Sequence, residues 1–212
     1  MPRRRPSTGC ATRFAPTTSD RTVPTIFTHA VVPLAAGLAL GRKALPPRLV
    51  AAGVVAAMAP DFDTVAFRLG IAYANQFGHR GATHSIVFAL ALGLIAAIAA
   101  SWLRSGRWRA FVFVALCTLS HPLLDALTNG GLGVALLWPW SHARFFAPWR
   151  PIAVSPIGAG FFSARGAAVL WSELRWVWLP CAVLALSVFG LRRAVAPTAR
   201  ERGASDRSAT PP

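Results

Sequence analysis

The longest uncharged stretch of the chain, IVFALALGLIAAIAASWL at residues 86–103, leaves few choices of fold. At about 1.5 Å of rise per residue, a helix needs roughly 20 apolar residues to cross the hydrocarbon core of a bilayer. The whole chain, 212 residues, is 54% hydrophobic, with a mean hydropathy of +0.48. That is too apolar for an ordinary soluble domain. The expected fold class is an all-α membrane protein.

Breaks in the apolar pattern divide the chain into about five transmembrane helices, at 26–40, 49–60, 85–103, 110–128 and 169–191. An up-down bundle is the expected arrangement. The separators are GRKALPPR at 41–48, RSGRWR at 104–109, and Asn129-Gly130-Gly131, a good helix stop. The uncharged part of the second helix is only about a dozen residues, short of a full span, which leaves Asp61 and Asp63 near or within the membrane edge. The loop 64–78 has room for an interfacial helix. Between 132 and 165, Trp138, Pro139, Trp140, Phe145, Phe146, Pro148 and Trp149 crowd together as an interfacial belt. Three regions follow: a disordered N-terminal extension at 1–22, rich in Arg, Pro, Ser and Thr; one transmembrane domain at 23–191; and a disordered tail at 192–212.

The formal charge of +15 comes from 22 basic residues, all arginine except Lys43. They gather in two connections and both tails, where they set the orientation of membrane helices, and no nucleic-acid partner is expected. The connections at 42–48 and 104–109 carry three basic residues each, and Arg192-Arg193 closes the last helix. An up-down bundle puts all three regions on one face, which the positive-inside rule makes cytoplasmic. The five arginines of residues 1–22 oppose that orientation. Initiation at Val23 resolves the conflict. The three cysteines form no Cys-x-x-Cys pair, and Cys117 and Cys181 sit in apolar runs, so neither a disulfide framework nor a thiolate metal site is implied.

The polar residues are placed less evenly than solubility requires. Four of the five histidines and three of the seven acids lie at the edges of apolar segments. His29 begins the first helix, Asp61 and Asp63 end the second, His79 and His84 precede the third, and His121 and Asp125 end the fourth. In an up-down bundle all seven reach one membrane face. His121 and Asp125, four apart, share a helical face. Each residue has an ordinary reading: an interfacial histidine at 29, a helix stop at 61 and 63, a polar turn at 79–84, an intrahelical hydrogen bond between 121 and 125. Ionisable groups inside membranes are costly and functional by default, which favours a shared site. Arg80, on the glycine-hinged turn GHRGATHS at 78–85, suits either bidentate capture of a phosphate or carboxylate, or the headgroup layer. His142, beside Arg144 in the tryptophan-rich belt, reads as an ordinary interfacial residue. Glu173 lies on the site's face, with Arg175 or water as its simplest partner.

Imidazole and carboxylate ligands without thiolate suit zinc, manganese or iron. Seven candidates exceed the needs of one ion. They allow two ions about 3.5 to 4 Å apart, or one ion with carboxylates that orient its histidines.

The order Thr28-His29, Pro60-Asp61-Phe62-Asp63, His79-Arg80-Gly81-x-Thr83-His84-Ser85 and His121-Pro122-x-x-Asp125-x-x-Thr128 resembles the YdjM-like membrane-bound metal-dependent hydrolases of bacterial inner membranes. Trp138-Pro139-Trp140-Ser141 and Arg144-Phe145-Phe146-x-Pro148-Trp149 also look like theirs. The resemblance covers about 23–191. It implies a multi-pass inner-membrane protein with a hydrolytic metal site at the matching His and Asp positions. The expected ligands are His29, Asp61, Asp63, His79, His84, His121 and Asp125, holding one or two divalent ions, zinc or manganese first. The expected activity is hydrolysis of a lipid-linked or small membrane-adjacent ester or phosphoester by metal-activated water, with Asp63 as a general base and Arg80 holding negative charge. The site would face the periplasm. The alternative is a transporter or sensor that uses the same cluster for metal or protons.

Overall fold

The computed structural model describes residues 22–23, 26–156 and 163–195. The expected disorder of the N-terminal extension and the expected start at Val23 concern residues 1–21, which lie outside the described residues, as does the tail beyond 195. Apart from a two-residue antiparallel pair, β1 (Thr22–Val23) on β2 (Ser155–Pro156), and two isolated bridges, the regular structure described is helical.

Helix α1 (Ile26–Ala44) is interrupted at Gly41, whose φ of 73° ends the regular helix where the sequence suggested, near residue 40. A side chain there would be strained and would meet the Arg192 guanidinium. Helix α2 (Pro47–Met58) begins on a proline, whose missing N–H is one of the donors a helix start leaves unpaired anyway. The chain does not stop at the aspartates. It tightens into a 3-10 turn, Ala59–Thr64, and runs on into α3 (Val65–Arg68). Pro60 sits at the start of that turn, where a proline is tolerated. The result is one helical segment of 22 residues, Pro47–Arg68, longer than its uncharged part.

The third helix is shorter than its sequence. A 3-10 turn, Ala82–His84, leads into α4 (Ile86–Ile98), capped by the Ser85 hydroxyl, which accepts from Phe88 N at 3.1 Å. After 13 residues the apolar run leaves regular helix and winds through turns to Arg104, at φ 56°. Helix α5 (Arg107–Ala126) carries Pro122 without breaking. Helix α6 (Ala164–Glu173), a π segment (Leu174–Trp178) and α7 (Leu179–Val195) form one 32-residue rod. Arg192 and Arg193 belong to its last turn, where cations favour the helix dipole. The helix thus runs past the expected tail boundary. Among the described residues, three segments are long and apolar enough to cross a bilayer: Pro47–Arg68, Arg107–Ala126 and Ala164–Val195. Ile86–Ile98 is apolar and shorter.

Packing follows the small residues. Helix α4 lies on α5, α2 on α1 and α5, and α7 on α1. Leu45, Leu49, Leu103 and Val114 form a core with alanines of α2, α4 and α5. Two arginines tie one end of the bundle: Arg48 Nη1 donates to Trp102 O at 3.1 Å, and Arg192 Nη1 to Ala39 O at 2.7 Å. Among the described residues all four acids, Asp61, Asp63, Asp125 and Glu173, lie away from that end.

Candidate metal centre

All seven histidines and aspartates selected from the sequence come together; six are buried, and Asp63 is partly buried with its side chain 4% exposed. The first turn of α1 supplies His29, the 3-10 turn after α2 supplies Asp61 and Asp63, and the 78–85 turn supplies His79 and His84. The last turns of α5 supply His121 and Asp125. The ligand-capable atoms form three overlapping groups: His29, Asp61 and His121; Asp61, His79 and His84; and His84, His121 and Asp125. Within each group these atoms lie within 4.8 Å of one another.

Within this cluster His29 Nε2 stands 3.7 Å from Asp125 Oδ1 and 4.0 Å from Asp61 Oδ2. His84 Nε2 is 3.3 Å from Asp125 Oδ2, and His121 Nε2 is 3.4 Å from Asp61 Oδ1. The His121 and Asp125 side chains do not hydrogen-bond along their helix; Nε2 and Oδ2 are 3.8 Å apart. The His121 ring instead stacks on His29, with centroids 3.6 Å apart, and its Nδ1 pairs with Ala57 O at 2.7 Å. That contact makes Nδ1 the donor and turns the lone pair of Nε2 inward. There it meets His84 Nε2 at 3.1 Å. Two imidazole lone pairs repel at that distance unless a proton or cation lies between them. Two nitrogen ligands of one tetrahedral zinc stand about 3.3 Å apart, given bonds of 2.0 to 2.1 Å.

A cation is also what the surrounding atoms lack. Both ring nitrogens of His29, Asp61 Oδ1, His79 Nε2 and Asp125 Oδ1 are buried without a hydrogen-bond partner. Buried polar atoms are normally paired, and most of the exceptions here are imidazole nitrogens and carboxylate oxygens of this one cluster. The residues present therefore fit a divalent ion.

Asp63 is placed differently. Two residues apart on a 3-10 helix, it points about 240° around from Asp61. His79 Nδ1 contacts its Oδ1 at 2.5 Å, while Thr83 Oγ1 and Arg80 N donate to its Oδ2 at 2.6 and 3.1 Å. His84 Nδ1 lies 3.2 Å from the same oxygen. Asp63 thus holds the outer nitrogens of two histidines, and it belongs to none of the three ligand-capable groups. Burial works against a proton on His84, but the Asp125 and Asp63 carboxylates against its ring outweigh it and raise the imidazole to about 9.

Arg80 is wholly buried, which excludes the headgroup-layer reading. Its Nε lies 3.0 Å from Asp125 Oδ2, and its Nη1 donates to Thr128 Oγ1 at 3.1 Å and Gly130 O at 3.0 Å. Nη2 has no hydrogen-bond partner. Arg80 adopts φ 61°, and Gly81 follows it because a Cβ would collide with the Gln76 carbonyl.

Several supports were not singled out from sequence. Arg144 clasps the turn by donating to the carbonyls of His79, Tyr73 and Asn75, each at 3.0 Å. Thr28 donates to Glu173 Oε2 at 2.7 Å and accepts from Trp178 Nε1 at 2.9 Å. Glu173 is therefore buried against α1, and neither Arg175 nor water is its simplest partner as expected; Arg175 lies over the Trp176 ring. His142 is exposed, outside the cluster.

A family model for the YdjM inner membrane protein matches residues 24–196, which include every residue of the cluster. The chain belongs to that family. It is 49% identical to inner membrane protein YbcI of Escherichia coli (strain K12) over 173 residues, covering 81% of this chain and 100% of the relative. No solved structure matches it. With its apolar helices, this YdjM-family chain is an inner-membrane protein, and its buried His and Asp groups could hold a metal ion.

Proposed function

We propose that this YdjM-family protein is a membrane-bound hydrolase that uses a divalent metal, zinc or manganese, to cleave an ester or phosphoester presented at the membrane. The observation that carries the reading is the set of buried, unpartnered donor atoms beside the unpartnered Nη2 of Arg80. His29, Asp61, His79, His84, His121 and Asp125 would hold the metal. Asp61 belongs to two of the three groups, so it could bridge a pair of ions. When bound, such an ion acts as a Lewis acid and lowers the pKa of a bound water to near 7. Arg80, fixed by Asp125 and Thr128, offers Nη2 to the negative charge that develops on the substrate.

Asp63 has both oxygens engaged, so it serves better as the carboxylate that orients His79 and His84 than as the general base expected from sequence. Asp63→Asn should then weaken metal affinity about 10- to 100-fold while leaving the stoichiometry at saturation unchanged. Calorimetric titration of the detergent-solubilised protein measures both. Because metal must displace the proton on His84, affinity should rise with pH and level off near 9, where that proton is already lost.

Metal-loaded protein assayed with an aryl phosphodiester and an aryl acyl ester, with and without chelator, tests the activity. Chelator-sensitive cleavage supports the hydrolase. No cleavage, together with metal or proton flux in proteoliposomes, would replace it by a transporter.

The chain is further proposed to be multi-pass, with its basic end cytoplasmic and the metal centre periplasmic. Ala44→Cys, in a background without the native cysteines, should resist an impermeant thiol reagent in intact cells and react once the cells are opened. Reaction in intact cells would reverse the orientation.

A further inference from the structure

Helices α2 and α4 both pack on α5 and scarcely touch one another. The gap between them is a groove of about 460 Å³ floored by Val114. Ala52, Val55 and Ala59 form one wall, and Ala96, Ala99 and Trp102 the other. Its lining is almost wholly apolar, and the segment that forms its first wall, Pro47–Arg68, is one of the three fit to cross a bilayer. The groove therefore opens on acyl chains rather than water.

The two ends of the groove differ. At one end Arg48 donates from Nη1 to Trp102 O at 3.1 Å and lies 5.6 Å from the centre of the Trp102 ring, a clasp across that end of the groove. At the other end stands Ala59, two residues before Asp61 and two after Ala57, whose carbonyl holds His121. The buried histidine and aspartate atoms without partners lie at this second end. Eleven residue steps lead from Arg48 to Ala59, about 16 Å of helical rise. At roughly 1.2 Å per bond of an extended chain, that length takes about 13 carbons.

We propose that this groove holds the hydrocarbon chain of the amphiphile whose polar head reaches the metal centre: a single-chain ester or phosphoester of about 13 carbons or longer. The inference rests on the hydrolase reading for the identity of the head and on the groove alone for the chain. The metal centre selects the ester or phosphate, and the groove selects the tail. A phospholipid of the opposite leaflet, with its phosphate on Arg48, would lie the other way round, with its head away from the unpartnered histidine and aspartate atoms.

The test uses tetradecyl phosphate probes carrying a photoreactive diazirine, either at the chain end or beside the phosphate, on the full-length protein in phosphatidylcholine nanodiscs. The chain-end probe should label near Ala99 and Trp102, and the head-side probe near Ala59 and Leu92, both competed by unlabelled tetradecyl phosphate. Ala52→Phe and Ala99→Phe, on opposite walls, should each cut labelling at least tenfold with metal content retained. Ala91→Phe, exposed on α4 outside the groove, should leave it unchanged. Labelling spread equally over Leu184 and Leu186 of α7 would reduce the groove to ordinary lipid contact and overturn the proposal. The reversed order of labels would overturn it in favour of a phospholipid held by Arg48. Expected labelling with no metal-dependent cleavage leaves the groove standing and removes the hydrolase. Cleavage of short-chain esters with no labelling of the groove does the opposite.

Discussion

Replacing His121 by alanine is expected to abolish high-affinity metal binding while the protein still inserts in the membrane. His121 meets the other candidates through a single nitrogen, Nε2, which lies within 4 Å of atoms from Asp61, His84 and Asp125. Its removal takes a donor from two of the three ligand-capable groups. It also frees the face of His29 on which the ring stacks. Loss of an orienting carboxylate commonly costs 10- to 100-fold in affinity, so loss of a donor should exceed about 100-fold. Insertion is governed by the apolar length of the helices, and His121 adds nothing to it. His84→Ala should behave alike, because His84 also belongs to two groups. Metal content measured on membranes, beside a blot for inserted protein, separates the two effects. A His121→Ala protein with full metal content would contradict the arrangement.

Replacing Arg80 by alanine should have the largest effect on stability. Arg80 and Asp125 are both wholly buried and 3.0 Å apart. Breaking a buried pair by removing one partner costs about 3 to 5 kcal/mol, because the remaining charge has no compensation. That cost depends on what else neutralises Asp125. A bound divalent cation would do so, and the Arg80→Ala protein should regain much of the lost thermal stability when zinc or manganese is added. Turnover should not recover, since the donor aimed at the substrate's charge is gone. Thermal unfolding with and without metal, followed by the esterase and phosphodiesterase assays, gives both readings. Equal destabilisation in the presence and absence of metal would show that no cation reaches Asp125.

How much of this could be read in the sequence depended on the kind of contact. The cluster was legible because the chain carries few acids and its helices are apolar, so a histidine or aspartate at a helix edge stands out. Helix boundaries were legible where Gly41 or Asn129-Gly130-Gly131 break the chain. Three features were not. The 86–103 run reads as one helix throughout, yet regular helix ends at Ile98; apolarity does not distinguish helix from the helix-like turns that follow. Asp61 and Asp63 look alike in sequence, and only the 3-10 geometry sends one among the histidines and the other behind them. Glu173 and Arg144 are tertiary. Glu173 is 145 residues from the threonine that donates to it, and Arg144 binds carbonyls, which leave no residue-type signal.

The central claim is that the cluster holds a metal ion. Elemental analysis of wild-type protein, purified gently without chelators and then titrated with zinc and with manganese, tests it most directly. The account predicts at least one tightly held ion per chain, already present or taken up stoichiometrically. Protein that carries none and gains none from either metal would contradict it.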